Sequence, residues 1–189
     1  MSPFDFFFTL FGLILGLAVA VLITGLTDIL RERHRLKLGW LTPMLAMFLL
    51  LDLTTVWVNS WEGLRTIEVA YGPFLAGTII AAAYFFAASM TFPKTPAEWP
   101  SLDDYYLQNY RLVIGGVLFA NLGIAAIDGI SRHSFAAFLH NISHTELGVI
   151  WWVTLITMMV IARRRVQLAG LAIVLAEGIY ALVKFWHPV

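Results

Sequence analysis

Six apolar stretches, most of them as long as a bilayer-spanning helix, dominate this sequence. The hydrocarbon core of a membrane is about 30 Å thick, and a helix needs about 20 apolar residues to cross it. Within that core the backbone N–H and C=O groups must find partners inside the chain, a condition that helices meet. The sequence therefore predicts an all-α bundle of six transmembrane helices in one integral membrane domain, residues 1–189. The predicted spans are 6–30, 40–61, 67–92, 111–130, 147–162 and 167–186, of which the fifth is the shortest.

Basic residues are divided unevenly between the two sets of connectors. The connectors after the first, third and fifth spans carry nine of them, and the opposite side carries three. The nine are Arg31, Arg33, Arg35, Lys37, Lys94, Arg111, Arg163, Arg164 and Arg165. Because Lys and Arg accumulate on the cytoplasmic side of membrane proteins, we expect these connectors in the cytoplasm and both termini outside. The expected location is the inner (plasma) membrane, with the chain crossing it several times.

The composition excludes several classes of protein. Hydrophobic residues make up 60% of the chain and charged residues only 13%, about half the charge of a soluble domain. Twelve basic residues balance twelve acidic ones, so no basic field exists to attract nucleic acid. The chain has no cysteine, which excludes disulfides, iron–sulfur clusters and cysteine zinc sites. It also lacks a nucleotide-binding motif and histidines deep in facing spans, so we predict no cofactor.

The connector 93–110 is predicted to form a short surface helix that runs into the fourth span. Ser101, followed three residues later by Asp104, is typical of a helix N-terminal cap. The segment also carries four aromatic residues suited to the membrane–water interface: Trp99, Tyr105, Tyr106 and Tyr110. Such residues anchor a helix at the membrane surface. The alternative interpretation is a docking surface for a cytoplasmic partner.

The connector 131–146 is predicted to form an amphipathic helix on the outer face, with its histidines on the polar side. His140 and His144 are four residues apart, a spacing that can place two imidazoles on one metal ion. His133 shares that side but lies about 10 Å further along the helix axis. The alternative to a metal site is an ordinary polar face of an interfacial helix.

Asp52 is the most informative residue, because it lies in the middle of the second span. A charged side chain at that depth costs roughly 2.5–3.5 kcal/mol on insertion scales, so it must face protein or water. Helical spacing places Thr55 and Asn59 on the same face, which predicts a polar seam toward the outer side. A buried carboxyl of this kind is often uncharged at rest, which suits a proton or cation site. The alternative is a carboxyl that only hydrogen-bonds to a neighbouring helix.

Glu177 is a second carboxyl at a similar depth, in the middle of the sixth span. Tyr180 lies on the same side of that helix, and Asn121 adds a neutral polar group in the fourth span. If Asp52 and Glu177 meet, they can share a proton or hold a cation between them. The sequence leaves open whether they meet or whether each makes its own structural hydrogen bond.

These residues favour a small cation or proton channel or transporter, in which Asp52, Glu177, Asn59, Thr55, Asn121 and Tyr180 form the ion pathway. The first alternative is a non-catalytic accessory or assembly subunit of a larger inner-membrane complex. The second alternative is a lipid- or small-ligand-handling enzyme that uses the outer histidines. An enzyme is the less favoured interpretation. The expected partners are the lipid bilayer and either a second copy of the chain or a larger membrane complex. No nucleic acid is expected.

Overall fold

The computed structural model describes residues 3–32, 34, 37–64, 70–131, 134 and 146–184. This part of the chain is helical and contains no strand, which confirms the predicted all-α bundle. The helices are α1 (Pro3–Arg31), α2 (Leu41–Leu64), α3 (Tyr71–Ser89), α4 (Leu102–Ser131), α5 (Glu146–Val160) and α6 (Arg164–Lys184). A short 3-10 turn, Pro96–Glu98, lies between α3 and α4. The chain is a multi-pass integral membrane protein, since five of these helices are long and apolar enough to cross a bilayer.

The fifth helix is shorter than the others. Its 15 residues rise about 22 Å, less than the thickness of a bilayer core. Its direction nevertheless follows from an ion pair between Asp103, at the start of α4, and Arg164, at the start of α6. Because α4 and α6 begin at the same end of the bundle, the chain between them must return to that end. Helix α5 makes this return, which agrees with the six predicted passes.

The helices pack as a closed ring in the order α1, α3, α4, α5, α6 and α2, and α2 also contacts α4 across the middle. Small residues allow the closest approaches. A Cβ at Gly178 of α6 would lie 3.5 Å from the Cβ of Leu51 in α2, and one at Gly116 of α4 would lie 3.2 Å from the Cβ of Ala87 in α3. Such close contact between backbones is typical of helices in membranes. It places Glu177, the neighbour of Gly178, at the level of Asp52, the neighbour of Leu51.

The predicted surface helix in 93–110 differs from what the structure contains. Residues 102–110 are the first turns of α4 itself, and the remainder of the connector holds only the 3-10 turn. The predicted cap is confirmed, because Ser101 Oγ accepts a hydrogen bond from the Asp104 backbone N–H at 3.2 Å and donates one to Asp104 Oδ2 at 2.6 Å. The predicted interfacial helix in 131–146 lies almost entirely outside the described residues.

Connectors that carry basic residues meet at one end of the bundle, called here the basic end. The backbone N–H of Leu102 donates to the carbonyl of Lys37 over 3.1 Å. Thr42 Oγ1 donates to the carbonyl of Leu102 over 3.0 Å. The tie between Asp103 and Arg164 adds the α5–α6 connector to the same end. The described basic residues of these connectors are Arg31, Lys37, Lys94, Arg163, Arg164 and Arg165.

Candidate proton site at Asp52

Asp52 is bound by a hydrogen-bond network that joins three helices. The hydroxyl of Tyr84, on α3, donates to Asp52 Oδ2 over 2.7 Å. The side-chain amide of Asn121, on α4, donates to the oxygen of Tyr84 over 2.7 Å. Tyr84 is fully buried, whereas Asp52 and Asn121 are half-buried. The predicted site residues Asp52 and Asn121 therefore belong to one cluster, and Tyr84 connects them.

Hydrogen-bond directions in this cluster are fixed by its two ends. Asn121 Nδ2 also donates to the Val117 carbonyl over 3.0 Å, which orients the amide within its own helix. An amide nitrogen can only donate, so the Tyr84 oxygen accepts from Asn121 and its hydrogen is directed at Asp52. The carboxyl group thus sits at the accepting end of the network. Asp52 can take up a proton, whereas the Asn121 amide at the other end of the network cannot transfer one.

The face of α2 that carries Asp52 changes from buried to exposed along its length. Phe48, one turn toward the basic end, is 2% exposed, and its ring lies 6.4 Å from that of Trp151 on α5. Beyond Asp52, toward the opposite end, Thr55 and Asn59 lie on the same face by helical spacing and are exposed. We call the surface formed by Thr55 and Asn59 the polar vestibule. It lies on one side of Asp52 along the helix, and the buried Phe48 lies on the other.

The vestibule residues do not bind Asp52 directly. Thr55 Oγ1 donates to the carbonyl of Leu51 in its own helix over 2.9 Å. Asn59 is exposed and makes no hydrogen bond to Asp52 or to the Tyr84 hydroxyl. The predicted seam is therefore an exposed approach to the carboxyl group and does not form a continuous hydrogen-bonded chain.

Glu177 lies apart from this network. Both of its carboxyl oxygens are buried, and neither has a hydrogen-bond partner. Asp52 and Glu177 are thus not hydrogen-bonded to each other, although the contact between Leu51 and Gly178 brings their helices together at this level. Tyr180 is 51% exposed, and its ring lies 5.9 Å from the Lys184 ammonium group, so it does not join either carboxyl group.

The predicted metal ligands His140 and His144 lie outside the described residues. Within the part of the chain that the structure describes, no group of three or more His, Cys, Asp or Glu side chains is arranged to hold a metal ion. The histidine site therefore stays a prediction.

A second cluster of buried polar groups lies at the basic end, and the sequence analysis missed it. Asp103 is 4% exposed, and its Oδ1 accepts a hydrogen bond of 3.0 Å from the backbone N–H of Leu41, which caps the start of α2. Its Oδ2 binds the Arg164 guanidinium. One carboxylate thereby ties together the starts of α2, α4 and α6.

Gln167 completes this cluster from the first turn of α6. Its side-chain nitrogen donates to the carbonyls of Met158 and Ile161, each over 2.7 Å, and so satisfies the end of α5. Its oxygen accepts a hydrogen bond of 2.7 Å from the Tyr106 hydroxyl. Tyr106 is only 2% exposed. Tyr105 and Tyr110 are also buried, so three of the four residues assigned to an interfacial aromatic belt belong to the interior.

Comparison with protein-family models, with curated proteins and with solved structures finds no match to this chain.

Proposed function

We propose that this protein moves a small cation, H⁺ in the first place, across the membrane and that Asp52 is its binding site. The observation that carries the proposal is the position of this carboxyl group. It lies midway along α2 at the accepting end of a three-helix hydrogen-bond network, with the polar vestibule on one side. A carboxyl group at such depth is costly in a membrane protein unless it is used or paired.

The chemistry around Asp52 favours a proton over a metal cation. The Tyr84 hydroxyl presents its hydrogen to Asp52, and the Asn121 amide holds that hydroxyl in place. Sodium, calcium and similar hard cations need several oxygen atoms with free lone pairs. A carboxyl group that accepts one hydrogen bond can gain or lose a proton at its other oxygen without rebuilding its surroundings, whereas a metal ion would have to displace the Tyr84 donor.

The vestibule supplies the route by which a proton reaches Asp52. The hydroxyl of Thr55 and the amide of Asn59 can each hydrogen-bond to water, and both side chains are exposed. On the other side, one turn of α2 from Asp52, the Phe48 side chain is buried. In this proposal the structure corresponds to a state in which Asp52 exchanges protons with one side of the membrane only.

Glu177 is the second carboxyl group of the proposed pathway. A buried carboxylate charge without a partner is strongly disfavoured, and its oxygens have no partner. Glu177 would therefore carry its proton in this conformation and release it only when water reaches it, takes the proton and solvates the carboxylate. Tyr180 and Asn59, both exposed, would lie along the approach rather than at the binding site.

Proton flux in liposomes tests the proposal. Wild-type protein should dissipate an imposed pH gradient under a membrane potential faster than empty liposomes do. Asp52→Asn keeps the size of the side chain and removes its titration, so flux should fall to the background rate. Asp28→Asn is the matched control, because Asp28 lies at the exposed end of α1 beside Arg31 and should retain the wild-type flux.

Wild-type liposomes with no flux above empty ones would contradict the proposal and favour an accessory subunit of a larger inner-membrane complex. Isolation from native membranes would then be expected to recover a stoichiometric partner. For orientation, we propose that the basic end faces the cytoplasm. A reporter active only in the cytoplasm should then work when inserted at Lys94 and fail at both chain ends.

A further inference from the structure

We propose that Asp103, Arg164, Tyr106 and Gln167, together called the latch, keep Asp52 closed off from the basic end, and that release of the latch opens that side. This inference rests on the proposed function for its purpose, since a site that moves protons across the membrane must be reached from both sides in turn. On the face of α2 that carries Asp52, exposed polar side chains follow it toward one end only, at Thr55 and Asn59. The latch lies on the side that is closed.

Apolar side chains separate Asp52 from the basic end. Three successive turns of α2 between Asp52 and the basic end carry Leu41, Leu45 and Phe48. Each of these side chains is at most 2% exposed. Trp151, on α5, contacts Phe48 from the other side. The side chains of Leu41, Leu45 and Phe48 offer water no polar group, and together with Trp151 we call them the apolar seal. Opening it requires that α5 and α6 move away from α2 and α4.

The latch joins the two parts of the bundle that would have to separate. Asp103 and Tyr106 belong to α4, while Arg164 and Gln167 belong to α6. Arg164 binds Asp103, and the Tyr106 hydroxyl binds Gln167. Away from this end, α2 meets α5 and α6 through apolar pairs such as Phe48 with Trp151 and Leu51 with Gly178. The two directional bonds of the latch lie next to the seal.

Three of the four latch residues keep a partner or reach water when the latch opens. The Arg164 side chain is 59% exposed, so water can solvate it when it leaves Asp103. Asp103 keeps its hydrogen bond from the Leu41 backbone N–H. Gln167 keeps both bonds to the end of α5 when Tyr106 leaves it. A buried group left with no partner would oppose opening, and each member here except the Tyr106 hydroxyl retains a partner or reaches water.

Thiol labelling tests the latch, because the chain has no cysteine of its own. Leu45→Cys places one thiol inside the apolar seal, and a membrane-impermeant thiol reagent is added to vesicles. The vesicles must hold the protein with its basic end facing the added reagent. Full reaction of Lys94→Cys, an exposed position at that end, identifies this orientation. With the native latch, the thiol at position 45 should be protected. With Arg164→Ala and Tyr106→Phe, its labelling rate should rise about fivefold or more, the scale of an ion pair's contribution to an equilibrium.

Two controls separate a latch from a merely structural contact. Arg164→Lys keeps the positive charge and should keep position 45 protected. Ala81→Cys, a fully buried position in α3, should stay protected in every background. Continued protection of position 45 after both latch changes would overturn the inference, and so would simultaneous labelling of position 81, which would indicate loss of the fold. Labelling requires no transport, so an absence of proton flux in wild-type liposomes would count against the proposed function alone.

Discussion

The hydroxyl of Tyr84 donates to Oδ2 of Asp52 over 2.7 Å and thereby joins α2 to α3 across 32 residues of sequence. Tyr84 in turn accepts from Asn121, so a single buried hydroxyl completes the network at the candidate site. The stability of the bundle and the state of Asp52 are therefore coupled through this one side chain.

Replacing Tyr84 with phenylalanine should lower the free energy of unfolding by about 1–2 kcal/mol. The change removes one hydroxyl group, and both Asp52 Oδ2 and Asn121 Nδ2 lose a partner. Denaturant titration in detergent would measure the effect. Tyr71→Phe is the matched control, because Tyr71 is 81% exposed and should leave stability unchanged. Equal stability of the two variants would show that the network does not hold the helices together.

Two glycine substitutions should differ sharply in effect. Gly39 has a φ of 64°, and a Cβ there would collide with the carboxylate of Asp103. Gly39→Ala should therefore destabilise the protein by at least about 2 kcal/mol, through backbone strain and displacement of the α2 cap. A Cβ at Gly16 of α1 meets nothing within 4 Å. Gly16→Ala should instead be neutral or stabilise by up to about 1 kcal/mol. Unfolding midpoints that move equally would contradict the arrangement at the basic end.

A disulfide between positions 51 and 178 should form readily on mild oxidation. The Cβ separation of 3.5 Å falls within the range of native disulfides, so Leu51→Cys with Gly178→Cys should cross-link α2 to α6. Leu51→Cys with Ile179→Cys should not, because position 179 is 54% exposed and points about 100° away from 178. Gel mobility after proteolysis between the two helices would report the cross-link. Efficient cross-linking of the second pair would contradict the packing that brings Asp52 and Glu177 to one level.

Helix positions and local caps could be predicted from the sequence, because both depend on neighbouring residues. The apolar stretches are continuous, and Ser101 and Asp104 are only three residues apart. The partners of Asp52 and Asp103 could not be predicted in this way. Tyr84 lies 32 residues from Asp52, and Arg164 lies 61 residues from Asp103. Such pairs depend on how whole helices pack.

The misplaced aromatic residues have a related cause. Tyr105 and Tyr106 follow a proline-rich connector, which is typical of a surface segment. Their hydroxyls find partners inside the bundle instead, Tyr105 at the Met90 carbonyl and Tyr106 at Gln167. A tyrosine suits both an interface and a buried hydrogen bond, so composition alone does not distinguish the two environments. These tyrosines are in the interior because α4 begins at Leu102 and not near 111, so they belong to the first turns of a packed helix.

The polar vestibule predicts a difference between two adjacent threonines. Thr54 and Thr55 are both exposed, and each donates to the carbonyl four residues earlier. Thr55 lies on the side of α2 that carries Asp52, whereas Thr54 is turned about 160° away from Asp52. In lipid vesicles, a thiol introduced as Thr55→Cys should react with a charged, membrane-impermeant reagent added on the side opposite the basic end. A thiol introduced as Thr54→Cys should stay unreactive, because lipid covers it. Equal reactivity at both positions would show that the vestibule holds no water.

Infrared difference spectroscopy of the carboxyl stretching band most directly tests whether Asp52 exchanges a proton with water. In a Glu177→Gln background, a pH step applied to the protein in lipid should change the band of a protonated carboxyl group. Tyr84→Phe should shift the frequency of the Asp52 component of this band, because that carboxyl group loses its hydrogen-bond donor, and Asp52→Asn should remove that component. A band change that persists unaltered in Asp52→Asn, or no band change at any pH at which the protein stays folded, would contradict the central claim that Asp52 is a proton-binding site.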